Sequence, residues 1–319
     1  MWNIFRCLLL VVCFTMPAYA QDYPNKPVKI IVPYAPGGSV DSVARLVGQK
    51  LTQDLGQPFI VENKSGASGN IGTDFAAKAA PDGYTLLMSS SPPLAANIHL
   101  FKKLDFDPFN DFAPIMLIAN QPNVFVVNPS LPARNIQEII ELAKSRPGKL
   151  TYGSSGVGAS QHMAAELFMM MTGVSMKHVP YKGGGPAMVD LIGGHIDLMI
   201  ETAPSAIPFV TSEKVRALAV TTLKRSARLP NVPTLDEAGL KGFDFRGWIG
   251  LVAPAKVPKE INAKLHAQLQ KNMAGDLRKR LEEMGLDVAG GSSKEFSDFI
   301  RKDSDMYAKL VKAANMAPR

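Results

Sequence analysis

Val28-Lys29-Ile30-Ile31-Val32-Pro33-Tyr34-Ala35-Pro36-Gly37-Gly38-Ser39-Val40-Asp41 is the stretch that decides the fold. Residues 28–34 form an almost unbroken apolar run, the pattern of a strand buried on both faces. Residues 35–38 read as a turn. Val40, Val43, Ala44, Val47 and Leu51 then recur at helical spacing, with Ser39 placed to cap that helix and Asp41 suited to its first turn. The same order returns in the middle of the chain. Residues 150–152 read as a strand and residues 153–159 as a small-residue loop. A helix follows, with Met163, Ala164, Leu167, Phe168 and Met171 on one face and Ser160 placed to cap it.

Working outward, further strands are expected at residues 59–62, 85–88, 178–181, 196–200, 216–221 and 248–253. Residues 115–119 and 124–128 form a pair broken at Gln121-Pro122. Pro186 suits a first helical turn, and Gly193-Gly194 ends that helix. Asn135-x-x-Glu138 and Ser292-x-x-Glu295 read as capping boxes. Helices are expected at residues 258–273, 276–284 and 293–312. Strand alternating with helix throughout predicts an α/β protein built on mostly parallel sheets. The two strand–loop–helix units read as the openings of two lobes.

Residues 1–20 carry one basic residue, an apolar run over 7–16 and then Ala18-Tyr19-Ala20, with small residues at the positions a signal peptidase reads. This is the form of a secretory leader cleaved after Ala20. Its apolar run falls well short of the roughly 20 residues a spanning helix needs. Both cysteines, Cys7 and Cys13, lie in it, so the exported chain has neither disulfide nor thiolate. Even without residues 1–20, a chain of this length and no staples can hold together by core burial and is long enough for two domains. Its 35 Lys and Arg against 28 Asp and Glu give a net charge of +7. The basic residues are scattered and lack interleaved aromatics, which argues against nucleic acid and for a solvated basic face.

The two loops, residues 34–41 and 153–162, carry the functional reading. Each ends a strand and opens a helix, which points unpaired backbone N–H groups and the positive end of a helix dipole at one spot. Neither residues 35–40 nor 153–161 hold a charged side chain. An anion bound there would be held by dipoles and hydroxyls. About four to six hydrogen bonds to a charged group, less the cost of immobilising the ligand, correspond to roughly micromolar affinity. Competing chemistries fail on spacing. There is no Walker A motif; Gln161 stands where a dinucleotide fingerprint needs Gly; Val157 stands where a nucleophile elbow needs Gly. His162 and Glu166 lie one turn apart with no third ligand at motif spacing, so no metal site is expected. No cofactor and no catalytic residue is expected.

At these residues the chain resembles the Bug, or TctC-like, family of solute receptors of tripartite tricarboxylate transporters. The resemblance runs through Tyr34-Ala35-Pro36-Gly37-Gly38 with Asp41, Val61-Glu62-Asn63-Lys64, Ala80-Pro81-Asp82-Gly83-Tyr84, Ser154-Ser155-Gly156-x-Gly158, and His178-Val179-Pro180-Tyr181-Lys182-Gly183, and it ends in Leu229-Pro230-x-Val232-Pro233-Thr234. It implies a two-lobe type II periplasmic binding fold. Residues 21–121 plus 248–319 would form lobe 1 and residues 122–247 lobe 2, with crossings near residues 120–123 and 245–248. It implies a carboxylate site in which Ala35, Gly37, Gly38, Ser39 and Asp41 line one jaw. Ser154, Ser155, Gly156, Gly158 and His162 would line the other, with Tyr34, Ser90, Tyr181 and Glu201 as walls. It further implies a periplasmic monomer that delivers a di- or tricarboxylate, an amino acid or an aromatic acid to permease subunits. A sensor-kinase adaptor and a serine hydrolase are the competing functions. Gly183-Gly184-Gly185 is one glycine richer than the family's usual run.

Overall fold

A computed structural model describes residues 23–314, together with 316 and 318. The leader expected over residues 1–20 therefore lies outside the described residues. The first unit contains β1 (Val28–Val32), α1 (Ser39–Leu55), β2 (Phe59–Asn63), α2 (Asn70–Ala77), β3 (Thr85–Ser90) and α3 (Asn97–Leu100). The long strand β4 (Phe112–Val127) leads to the second unit. That unit contains α4 (Ile136–Ser145), β5 (Thr151–Ser154), α5 (Ser160–Thr172), β6 (Lys177–Pro180), α6 (Gly184–Ile192), β7 (Leu198–Thr202), α7 (Ala203–Thr211) and β8 (Arg216–Val220). The chain returns through β9 (Arg246–Pro254) and closes with α8 (Lys259–Met273), α9 (Asp276–Glu283), β10 (Asp287–Gly290) and α10 (Ser293–Ala313).

The strands that open each unit pair in parallel, β2-β1-β3 in the first sheet and β6-β5-β7 in the second. The expectation of mostly parallel sheets holds only for these. β9 pairs antiparallel with β3 and with β4; β10, β7 and β8 all pair antiparallel with β4. The reason is topological: β4 and β9 run in opposite directions between the two sheets, so any pairing between them must be antiparallel.

β4 also corrects the expected break at Gln121-Pro122, for it runs on through both residues. Its ladder to β10 ends at Asn120, its ladder to β9 continues to the pair Pro122↔Arg246, and its ladder to β7 begins at Asn123. Pro122 sits at the changeover of neighbours, where a strand tolerates a missing amide.

Two helix starts differ from expectation. Ser39 and Ser160 are the first residues of α1 and α5, and the N-caps are Gly38 and Ala159, which have no side chain to close the turn. The expected capping boxes fare unequally. Ser292 and Glu295 form the complete reciprocal pair at α10. Asn135 accepts from the Glu138 amide, but Glu138 answers through the Arg134 amide. On α5, Met163, Ala164 and Phe168 are buried as expected, while Met171 is exposed because the helix end projects past the core. The apolar cluster that includes Ile31, Leu87 and Leu94 continues through Phe125, Val157 and Phe168, so one core spans both sheets. Trp248 anchors it, edge-on to Phe296 with ring centres 5.5 Å apart and its indole N–H donated to Asp303 at 2.7 Å.

Candidate ligand site between two helix starts

The starts of α1 and α5 face a common cavity of about 30 Å³, lined by Gly38, Ser39, Ser155, Ser160, Gln161 and Glu201 together with Tyr34, Asp41, Ser90 and Gln121. Roughly two water molecules fill such a volume. The halves are closed on one another. The Ala35 amide donates to the Lys182 carbonyl at 3.0 Å, linking the first loop to the strand end of the second sheet. The extra glycine of Gly183-Gly184-Gly185 finds its reason here: a Cβ on Gly185 would stand 2.8 Å from the Pro36 carbonyl oxygen, and one on Gly183 3.1 Å from the Ala35 nitrogen.

First-turn amides of a helix have no intrahelical acceptor. At α1 the first bond back into the turn comes from Ser42 to the Gly38 carbonyl, and at α5 from Met163 to the Ala159 carbonyl. The amides of Ser39, Val40, Ser160 and Gln161 accordingly have no acceptor among the described residues. The serine hydroxyls beside them are positioned by side chains of β4. Gln121 donates to the Ser39 hydroxyl, and Ser160 lies 3.4 Å from Asn123 Oδ1. Gly247, paired with Gln121 across β9, makes room for Ser160, whose Cβ would be 2.9 Å from an added methyl.

Several residues expected at the ligand spend their polar atoms on the loops instead. Asp41 accepts from the Gly37 amide (3.1 Å), from Nε and Nη2 of Arg45 (3.1 and 2.9 Å) and from Asn63 (2.9 Å). Burial alone would raise its carboxyl, but the hydrogen bonds from Arg45, Asn63 and Gly37 outweigh that and hold it below the usual range. The Gly37 and Ala35 amides are thus used by protein acceptors. In the second loop the Ser154 hydroxyl bridges the Gly156 amide and carbonyl and contacts His178 at 2.6 Å. Nδ1 of His162 accepts the Gly158 amide at 3.1 Å, which leaves its hydrogen on Nε2, 3.4 Å from Glu166. His162 stacks on His178 with ring centres 4.1 Å apart, and Glu166 also accepts from Tyr152 at 2.8 Å. Ser154 and His162 thus have these polar atoms paired within the second unit and stand outside the residues that line the cavity. Gly158 packs on Leu100 and Asn97. Gly156 and Tyr181 line an adjoining recess of about 280 Å³ that shares Tyr34 and Ser155 with the cavity. The Tyr181 hydroxyl donates to Asp190 at 2.6 Å.

A relay runs along the far wall. The Ser155 hydroxyl donates to Gln161 Oε1 at 3.0 Å, and Gln161 Nε2 donates to Glu201 at 3.2 Å. On the near wall the Tyr34 hydroxyl pairs with Ser90 at 2.8 Å, and burial pushes the phenol well up, so it stays neutral. Gln121 and Gln161 were not expected from the sequence. The signal for Gln161 was its place in the first turn of α5, beside the amides it accompanies; Gln121 has no local signal, because it reaches Ser39 only across the fold. Among the described residues no group of three His, Cys, Asp or Glu is disposed to hold a metal. The arrangement suits reception of one small anion by neutral donors.

Comparison with known proteins gives the family and the fold. The pattern of the family described as "Tripartite tricarboxylate transporter family receptor" matches residues 43–316. Protein BugT of Bordetella pertussis is 39% identical over 276 residues, 84% of this chain and 85% of its own. Among solved structures, Rpa4515 of R. palustris with adipate superposes with a TM-score of 0.91 at 36% identity, over 93% of this chain and all of that one. MatC from Rhodopseudomonas palustris with bound malate superposes with a TM-score of 0.86 at 31% identity, over 91% of this chain and all of that one. The two-lobe α/β fold of such binding proteins is the fold of this chain.

Proposed function

The chain belongs to the tripartite tricarboxylate transporter receptor family, and from that premise we propose that it is a periplasmic receptor that closes on a small carboxylate without transforming it. The lobes comprise residues 21–121 plus 248–319 and residues 122–247, hinged where β4 and β9 cross. One carboxylate end sits on the open first turns of α1 and α5, held by amides and by the hydroxyls of Ser39, Ser155 and Ser160. The observation that carries the reading is the convergence of two uncapped helix starts on one cavity. Dicarboxylates such as adipate and malate, which two relatives hold, are the ligand class it favours. The bound form, as a monomer, then delivers its cargo to permease subunits in the membrane, and the leader ending at Ala20 brings the chain to that compartment.

Because the closed cavity has room for little more than water, the lobes part to admit the ligand and re-form around it by hinge motion. Calorimetric titration of the mature protein with succinate through suberate, malate and citrate tests the reading. Roughly micromolar binding of at least one acid is expected. Folded protein that gives no heat with any of them would overturn it.

A further inference from the structure

Two acidic side chains line the cavity, Asp41 and Glu201, and they are treated differently. Asp41 has Arg45 against it. Glu201 is fully buried, and among the described residues no cation is paired with it. Its Oε1 accepts three hydrogen bonds, from Gln161 Nε2 (3.2 Å), the Thr202 amide (2.8 Å) and the Thr202 hydroxyl (2.7 Å). Its Oε2 is buried with no partner among the described residues. The carboxyl lies against Gly184 at the start of α6, whose Cβ position is 3.1 Å from both oxygens, yet Oε2 takes no bond there. The elements packed on it contribute Gln161 from α5, Thr202 on β7, Gly184 from α6 and Val124 opposite it on β4, none titratable. Across the cavity stand Tyr34, neutral, and Asp41, already balanced by Arg45.

An ionised carboxylate with one bare oxygen in such a place is costly, and a bound anion beside it would repel it further. A protonated one turns the bare oxygen into a donor. We propose that Glu201 serves as a neutral carboxylic acid whose Oε2 hydroxyl donates a hydrogen bond to the bound carboxylate, so that capture of the anion is tied to holding one proton. This rests on the reading of the cavity as a carboxylate site. Burial pushes the Glu201 carboxyl up, and the hydrogen bonds from Thr202 and Gln161 pull it back only in part. The donor set, a hydroxyl with amides, selects a ligand end that is a plain carboxylate and disfavours one bearing an ammonium group.

Infrared difference spectroscopy of the mature protein with adipate, or with the best binder among succinate through suberate, reads the proton directly. The complex should show the carbonyl band of a protonated carboxyl group, and Glu201→Gln should abolish it. In calorimetry the affinity of the wild type should fall towards tenfold per pH unit once the pH passes the free protein's Glu201 value. Glu201→Gln, which keeps a donor at that place, should bind with a flat pH profile. A complex without the protonated-carboxyl band overturns the proposal, as does tighter binding of an α-amino acid that Glu201→Gln abolishes, for that would make Glu201 an anionic partner. The wild-type spectrum decides even if the variant fails to fold. Absence of dicarboxylate binding at every pH would sink both this proposal and the reading it rests on; binding without the band sinks this one alone.

Discussion

Helices α10 and α5 each carry a serine at the point where the helix begins, and the two beginnings are finished in opposite ways. At α10, Ser292 stands at the N-cap, accepts from the Glu295 amide, and receives Glu295 on its own amide in return. At α5, and likewise at α1, the serine stands one residue later, inside the helix, and the cap is Ala159 or Gly38. The first kind of start satisfies its own amides and adds stability. The second leaves them for another acceptor and keeps the dipole's positive end bare. A shift of one residue between serine and helix start separates a capped end from one that, on the function proposed above, receives the ligand.

The comparison breaks most readily if an open start is closed. Gly38→Asp and Ala159→Asp each place a carboxylate at the N-cap. Gly38 has φ of −84°, and a Cβ there meets nothing nearer than 3.7 Å, so the backbone accepts the change. Either variant should lose about 1.5–3 kcal/mol of ligand binding, roughly tenfold to a hundredfold, while its melting temperature holds or rises. Unchanged affinity in calorimetry would show that these starts do not hold the ligand.

The next effect belongs to α10 and touches stability alone. Burial pushes Asp303 up to about 6, against a lowering hydrogen bond from Trp248. A carboxyl raised on folding contributes stability that is complete below the unfolded value near 4 and is lost as the pH rises through about 6. Asp303→Asn keeps the acceptor and removes the charge. Denaturant titrations should show it gaining on the wild type across that window, by about 3 kcal/mol at most, with ligand affinity unmoved. A gain that runs the other way with pH would refute the burial argument.

Gly158→Ala sharpens the contrast from the loop side. Its φ of +79° disfavours a side chain, and the added Cβ would stand 2.5 Å from Leu100 Cδ1. Closure should weaken by about 1–3 kcal/mol, visible as poorer affinity with the fold retained by circular dichroism. Ser292→Ala is the smallest: about 1 kcal/mol of stability and no change in binding.

The repeated strand–loop–helix units were legible because buried strands and amphipathic helices write different periods into the sequence. The caps were not, since Ser39 and Ser160 satisfy the cap preference at a position one residue too late, and only the backbone angle fixes which residue is outside the helix. The run through Pro122 was illegible for another reason: whether proline breaks a strand depends on which neighbour stands beside it, and that neighbour comes from the far end of the chain. His162 stands among the jaw residues only through the family resemblance; that its Nδ1 accepts the Gly158 amide appears only when the loop curls back. Glu201 entered only as a wall that the resemblance implies, and its unpaired oxygen depends on Gln161 and Thr202 taking the other one.

The contact between Ala35 and Lys182 joins main chain to main chain, a clasp whose two halves are peptide groups rather than side chains. Substitution can therefore enlarge, shrink or recharge the chamber behind it without rewriting the fastening.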